Sequence, residues 1–355
     1  MSPADTERTR LSHRLYTALV LPLRQDLAID EPGLRRLIRY YARNERFAKV
    51  GGLVANPEAG EVFYLTRPEK RRVLEIVLEE ANGNLPVFAG TFAWTTAETV
   101  ETAQDAKAIG ADGIFVIPPA GSMDVSGAWD PVRYPEVWLD QIKAQDRAVD
   151  LPIFVHPVVG NSPIWGIGLP LPATLDYCRE VPNICGWKTT YAYLGHRLIS
   201  RALRTHAKHV ALLCSSAQFF HEYLATGNFD GTLSGSWNYA LEPMFDHVEA
   251  WRRGDLAEAR QLWDGGLAAL HEYVYSEPCR LHVRYKVAAW LRGLIDRPLM
   301  RPPMPAPRPE EIQALRMLLE QAGIAVVDVA TSLRRHDIET IGQTGWDETR
   351  PSEFK

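Results

Sequence analysis

The sequence predicts an α/β fold, a (β/α)8 barrel of the TIM type with a C-terminal helical appendage. Three observations predict it. Short apolar or β-branched runs alternate with longer amphipathic stretches, the pattern of a parallel sheet with helical crossovers. Eight such runs occur, the number that closes a barrel under the right-handed crossover rule. None is followed by the G-x-G-x-x-G turn that an open dinucleotide-binding sheet requires. The length of 355 residues permits one large barrel or two ordinary domains.

Taken in order, the expected strands are Tyr16–Leu21, Gly51–Ala55, Pro86–Gly90, Gly113–Ile117, Pro152–His156, Ile184–Thr190, Val210–Ser215 and Gly231–Ser234. Between them the 3.6-residue period predicts helices over Glu31–Glu45, Pro68–Ala81, Thr96–Ile109, Tyr134–Ala148, Pro172–Glu180, Leu194–Thr205 and Gln218–Thr226. Caps support the boundaries. Thr66 precedes Pro68 and Glu69, and Thr95 precedes Glu98 in a capping box. Gly83 and Gly110 stand where helices should stop. Beyond the eighth strand the pattern turns wholly helical, over Pro243–His271, Leu281–Arg292 and Pro309–Ala322. The organisation expected is therefore a barrel over 1–240, helices packed on it over 241–324, and a polar tail over 325–355. The tail, aperiodic after Asp328, reads as a flexible or partner-embracing segment.

Composition narrows the function. Apolar residues make up 46% and charged residues 23%, and the net charge is -5, a globular balance without the basic bias of a nucleic-acid binder. No run of about 18 apolar residues offers a membrane span, and Met1–Arg10 lacks a signal-like apolar stretch. A cytoplasmic location is expected. Cys178, Cys185, Cys214 and Cys279 form no C-x-x-C pair and read as free thiols. The histidines show no H-E-x-x-H spacing, so no metal and no cofactor is expected.

In such a barrel the chemistry sits at the C-terminal ends of the strands. Lys188, in Ile184-Cys185-Gly186-Trp187-Lys188, is the reactive group that falls there. An ammonium in an apolar strand is costly, and desolvation lowers its pKa. The free amine attacks a ketone to form an imine, an electron sink. Its plain structural reading is a lysine that snorkels at a strand end.

Several segments carry a family resemblance in the right order. Ala18-Leu19-Val20-Leu21-Pro22-Leu23 resembles A-L-V-T-P-F, and Gly52-Leu53-Val54 with Gly60-Glu61 resembles the strand ending in G-T-T-G-E. Leu65–Lys70 resembles L-T-x-x-E-K, Pro86–Gly90 resembles P-V-I-A-G, and Ala108–Gly113 resembles A-x-x-G-A-D-G. Pro182–Lys188 resembles P-N-I-x-G-x-K, and Gly231–Asn238 resembles G-x-I-S-x-x-x-N. Together, from about Arg14 to Gly323, the chain resembles the dihydrodipicolinate synthase/N-acetylneuraminate lyase family. The resemblance implies that Lys188 is the imine-forming lysine, that the substrate is a 2-keto acid, and that the chain assembles as a homodimer or homotetramer.

The departures bear on the chemistry. Pro57-Glu58-Ala59 stand where the family has hydroxyl residues before Gly60-Glu61. A carboxylate at Glu58 repels the carboxylate of pyruvate unless it is protonated or turned away; the alternative is a solvated loop residue. Phe154 stands in place of the family's proton-shuttling tyrosine, and His156, two residues on and on the same strand face, is the candidate general acid/base. Its alternative is a hydrogen-bonded structural histidine. The arginine that commonly follows is replaced in Val158–Asn161, and Pro118-Pro119-Ala120 lack the tyrosines of synthases, which argues against true dihydrodipicolinate synthase activity.

Candidate substrate-binding residues are Glu58, Ala59, Gly60, Phe154, Thr190, Ser234 and Gly235. Tyr191, Ser215 and Asn238 are further candidates, and Phe92, Trp94, Trp165 and Trp237 read as either a pocket wall or packing. The leading function is an aldolase-type lyase. A dehydratase or hydratase-aldolase of the same family, or an altered barrel that binds a metabolite, are the other readings.

Overall fold

The computed structural model describes residues 3–119 and 129–327. The expected tail after Asp328 and Ala120 of the fourth strand's end lie outside the described residues. The described residues divide into two compact units, one of 3–20 with 38–119 and 129–237, and one of 21–37 with 238–327.

The first unit holds a closed parallel barrel. In chain order its strands are β1 (Leu15–Ala18), β2 (Gly51–Ala55), β3 (Val87–Gly90), β4 (Gly113–Val116) and β5 (Ile153–Val155), then β8 (Ile184–Thr189), β9 (Ala211–Cys214) and β10 (Gly231–Ser234). Between β5 and β8 a small antiparallel hairpin intervenes, β6 (Val158–Ser162) with β7 (Gly166–Gly168). Each barrel strand pairs with its neighbours in sequence, and β1 closes on β10 with Thr17 opposite Ser234. The fold is thus the (β/α)8 barrel that eight alternating runs predict.

One interior layer shows why the sequence closes this way. Tyr16 on β1, Phe88 on β3 and Phe154 on β5 point inward and touch. The Phe88 and Phe154 rings stack at 3.6 Å and 3°, and Tyr16 meets Phe154 edge-on at 4.9 Å. In register with each large side chain stands a glycine on the next strand: Gly52 opposite Tyr16, Gly113 opposite Phe88, Gly186 opposite Phe154 and Gly231 opposite Leu213. A Cβ on Gly186 would lie 2.5 Å from Phe154 Cδ1, and one on Gly113 2.2 Å from Phe88 Cε1. Alternate strands fill the layer and the others make room, the packing rule of such barrels. Burying each of these rings contributes about 1.5–3 kcal/mol.

The helices start as their caps dictate. The expected capping box is present at Thr95 with Glu98, and the cap at Thr66 is also a full box with Glu69. One expected helix in the barrel is corrected. The run Glu31–Glu45 is two helices, Glu31–Ala42 and Glu45–Val50, because Asn44 accepts from the Phe47 N–H and starts a new one. The polar N-terminus is itself helical over Pro3–Ser12, and the Leu11 carbonyl accepts from the Tyr16 hydroxyl at 2.8 Å.

In the second unit the expected helix Pro243–His271 is broken into Trp237–Arg253, Leu256–Leu262 and Ala268–Tyr275, with a π turn over Trp263–Leu267. Gly254 at φ +78° and Gly266 at φ +144° interrupt it, backbone settings open to glycine. Asp255 then caps the next helix through the Glu258 N–H. Helices Leu281–Leu291 and Pro309–Gln321 follow, joined by a buried ion cluster in which Arg280 and Arg284 both bond Glu311.

Candidate active site

Three side chains from distant parts of the sequence meet at the C-terminal end of the barrel. Lys188 stands on β8 two residues beyond Gly186, so it faces inward one layer above the aromatic rings. His156 follows β5, and its N–H donates to the Val116 carbonyl at 2.9 Å, which holds it at the end of β4. Glu58 opens a 3₁₀ turn, Glu58–Gly60, just after β2.

The turn is rigid. Gly60 N–H donates to the Pro57 carbonyl at 3.0 Å and Glu61 N–H to the Glu58 carbonyl at 2.9 Å. A Cβ on Gly60 would sit 3.0 Å from the Leu19 carbonyl oxygen. Glu61 leaves the turn in the left-handed region, at φ +60°. Glu58, Ala59 and Gly60 are all buried. Glu58 is therefore no solvated loop residue, the alternative left open by the sequence.

Glu58 Oε1 accepts a hydrogen bond from His156 Nδ1. Lys188 Nζ lies 3.4 Å from His156 Nδ1 and 4.0 Å from Glu58 Oε2. On the other side of the imidazole, Nε2 is 3.0 Å from Thr190 Oγ1. An ionised carboxylate only accepts, so Nδ1 carries the proton and Nε2 accepts from the Thr190 hydroxyl; the tautomer is assigned from these partners. Phe115, on β4 two residues beyond Gly113, lies beneath the cluster. Its centroid is 5.6 Å from Lys188 Nζ and 5.7 Å from the His156 ring, nearly parallel at 19°.

Burial sets the protonation. It lowers the Lys188 pKa below its ordinary value, against the pull of the Glu58 carboxylate. It pushes His156 down to about 4, again with Glu58 opposing. Burial alone would raise Glu58, but the His156 and Lys188 charges and the bond from His156 hold it well below the usual carboxylate range. At neutral pH the imidazole is uncharged. What keeps Glu58 ionised there is the Lys188 ammonium and the Nδ1–H bond. The cluster is then a buried carboxylate, a neutral imidazole and an easily deprotonated amine.

The remaining candidates are placed as follows. Phe154 lies in the aromatic layer below, against Tyr16 and Phe88. Ser234 donates to the Ser215 carbonyl at 2.9 Å and pairs with the Ser236 hydroxyl at 2.8 Å, and Gly235 follows it at the end of β10. The Tyr191 hydroxyl accepts from Trp187 Nε1 at 3.0 Å, on the strand face opposite Lys188. Trp237 is packing, since it is fully buried and donates to Thr232 Oγ1 at 2.8 Å. Phe92 is buried, while Trp94 beside it is 67% exposed. Phe115 was missed from the sequence, although its position two residues after the layer glycine Gly113 puts it on the inner face.

The family model for the dihydrodipicolinate synthetase family matches residues 11–120 and 161–322. The chain belongs to that family. It is 30% identical over 309 residues to a 4-hydroxy-tetrahydrodipicolinate synthase of Methanopyrus kandleri, covering 86% of this chain and 95% of that protein. It is 26% identical over 322 residues to a DapA-like lyase of Thermofilum pendens, covering 89% of this chain and 100% of that one. Among solved structures it resembles YagE, a prophage protein of E. coli K12 in this family crystallised with pyruvate. There the TM-score is 0.73 and the identity 23%, over 88% of this chain and 99% of that one. Members of the dihydrodipicolinate synthetase family are lyases and synthases that use a lysine Schiff base, so this chain is a carbon–carbon or carbon–oxygen lyase of that kind. The family match breaks between residues 120 and 161, and His156 lies in the break. Among the described residues no group of histidine, cysteine and carboxylate side chains is spaced to hold a metal ion.

Proposed function

We propose that Lys188 is the imine-forming lysine of this lyase and that His156, held by Glu58, moves its protons. One observation carries the reading: a buried amine at a strand end, its proton affinity lowered by burial, 3.4 Å from a buried imidazole that a carboxylate holds in place. The resemblance implies a 2-keto acid such as pyruvate or a 2-keto-3-deoxy acid. True dihydrodipicolinate synthase activity is not part of the reading, because Val158–Asn161 offer no arginine for an acidic second substrate.

The amine of Lys188 attacks the carbonyl carbon and gives a carbinolamine. The hydroxyl then departs as water with one proton, and a protonated imine remains. That iminium accepts the electron pair released when a bond at the neighbouring carbon breaks, whether carbon–carbon in an aldol cleavage or carbon–hydrogen before a dehydration. The substrate hydroxyl proton reaches His156 Nε2 through Thr190 Oγ1, while Glu58 stays ionised, holds Nδ1–H and balances the imidazolium so formed. Reprotonation of the enamine and hydrolysis release the product and restore Lys188.

The test is intact-protein mass spectrometry after borohydride reduction with a panel of keto compounds, beginning with pyruvate. Wild type is expected to gain one substrate mass less one oxygen, and Lys188→Ala to gain none. An adduct of equal yield on Lys188→Ala would move the nucleophile elsewhere, and no adduct with any compound would remove the lysine mechanism.

A further inference from the structure

We infer that Glu58 selects the substrate by charge: it disfavours a carboxylate bonded directly to the reacting carbonyl and favours a neutral, hydrogen-bonding group such as hydroxymethyl there. The inference rests on Lys188 being the imine lysine, and it departs from the 2-keto acids for that one substituent.

The geometry leads to it. Once the imine forms, the substrate carbon is about 1.3 Å from Nζ and the next carbon about 1.5 Å further on. That next carbon is the carboxylate carbon in a 2-keto acid, so its oxygens lie within a few ångströms of Nζ whichever way they turn. Glu58 Oε2 is 4.0 Å from the same nitrogen. Two carboxylates would then share one buried site, and like charges so placed cannot both stay ionised without cost.

The two groups that weigh most on Glu58 do not relieve that cost. The charges that act most strongly on Glu58 are those of His156 and Lys188. His156 is neutral at pH 7, and the iminium on Lys188 is already balanced by Glu58 itself. A substrate carboxylate would be the uncompensated third charge. Glu58 does not turn away either, because its turn is locked by backbone bonds and Oε1 is held by His156. Its other oxygen, Oε2, faces Lys188 and accepts hydrogen bonds. A hydroxyl beside the carbonyl supplies a donor where a carboxylate supplies only acceptors.

The probes are pyruvate and hydroxyacetone, which share a methyl ketone and differ in carboxylate against hydroxymethyl. Each is titrated at pH 7.5 under cyanoborohydride and the adduct is read by intact mass, with Lys188→Ala as background. The quantity is the ratio of half-saturating pyruvate to half-saturating hydroxyacetone within one protein, which cancels any general loss of imine formation. Wild type should need about tenfold more pyruvate than hydroxyacetone, and Glu58→Gln should lower that ratio about tenfold. A wild-type ratio at or below one overturns the inference while leaving the lysine mechanism standing, and so does a ratio in Glu58→Gln that equals wild type. If Glu58→Gln does not fold, the wild-type ratio decides alone. An adduct with neither probe overturns the lysine mechanism and this inference with it.

Discussion

Lys188 and His156 were legible as residues because each breaks a local rule, a cation inside an apolar strand and an imidazole where its strand ends. Glu58 was legible only as an anomaly. Its short turn after β2 has no periodicity, and whether its carboxylate faced water or the barrel depended on backbone bonds that pattern does not encode. The coupling of the three groups makes a prediction at this scale. Imine formation needs the unprotonated amine, so its rate rises with pH through the Lys188 pKa, which burial holds below 10.5. Glu58 opposes that lowering, so removing its charge must shift the rise to lower pH. Rates of cyanoborohydride trapping of hydroxyacetone in Glu58→Gln against wild type check the sign, and a shift to higher pH would refute the assignment. His156→Gln should slow trapping by about 10²–10⁴-fold at pH 7.5, the usual contribution of a positioned acid/base, with Lys188 still the only labelled residue.

Strands were easier to read than the helices that link them. All eight barrel strands fall where alternating runs put them, since a strand buried on both sides leaves a compact apolar mark. The hairpin β6–β7 did not, because Val158–Gly168 contains glycine, proline and serine without alternation and reads as a loop. The broken helix at Gly254 was readable in principle from the glycine–aspartate pair that ends one helix and caps the next. The glycine of each even barrel strand, Gly52, Gly113, Gly186 and Gly231, is also visible in the sequence, yet only register reveals that each faces a large side chain. Gly186→Ala tests that layer. Its Cβ would press on Phe154 and Leu213, and overpacking of this kind costs about 1–3 kcal/mol. Urea unfolding should show a lower midpoint, and since Lys188 lies two residues away, trapping should weaken too. A midpoint equal to wild type would mean that the layer has slack.

Over the whole molecule the buried histidines couple stability to acid. Burial holds His156 down to about 4 and both His196 and His271 down to about 3, against 6.5 when unfolded. The folded-state values are depressed, so the unfolded chain binds more protons below pH 6.5 and stability falls as pH drops from there toward 4. From pH 7 to pH 5 the loss is on the order of 1–2 kcal/mol per histidine. Urea midpoints measured across that range should fall steadily, and His196→Gln should flatten the slope by one histidine's share. A flat profile in wild type would show that these rings are hydrated. The closed barrel has one more consequence, in time. β1 meets β10 only after the chain has grown by more than 200 residues, since Leu15 pairs with Thr232. At a synthesis rate of about 5–20 residues per second, roughly 10–40 s pass before that partner exists. During that interval one side of β1 has unpaired backbone groups, and the nascent chain must be shielded from its neighbours until the last strand arrives.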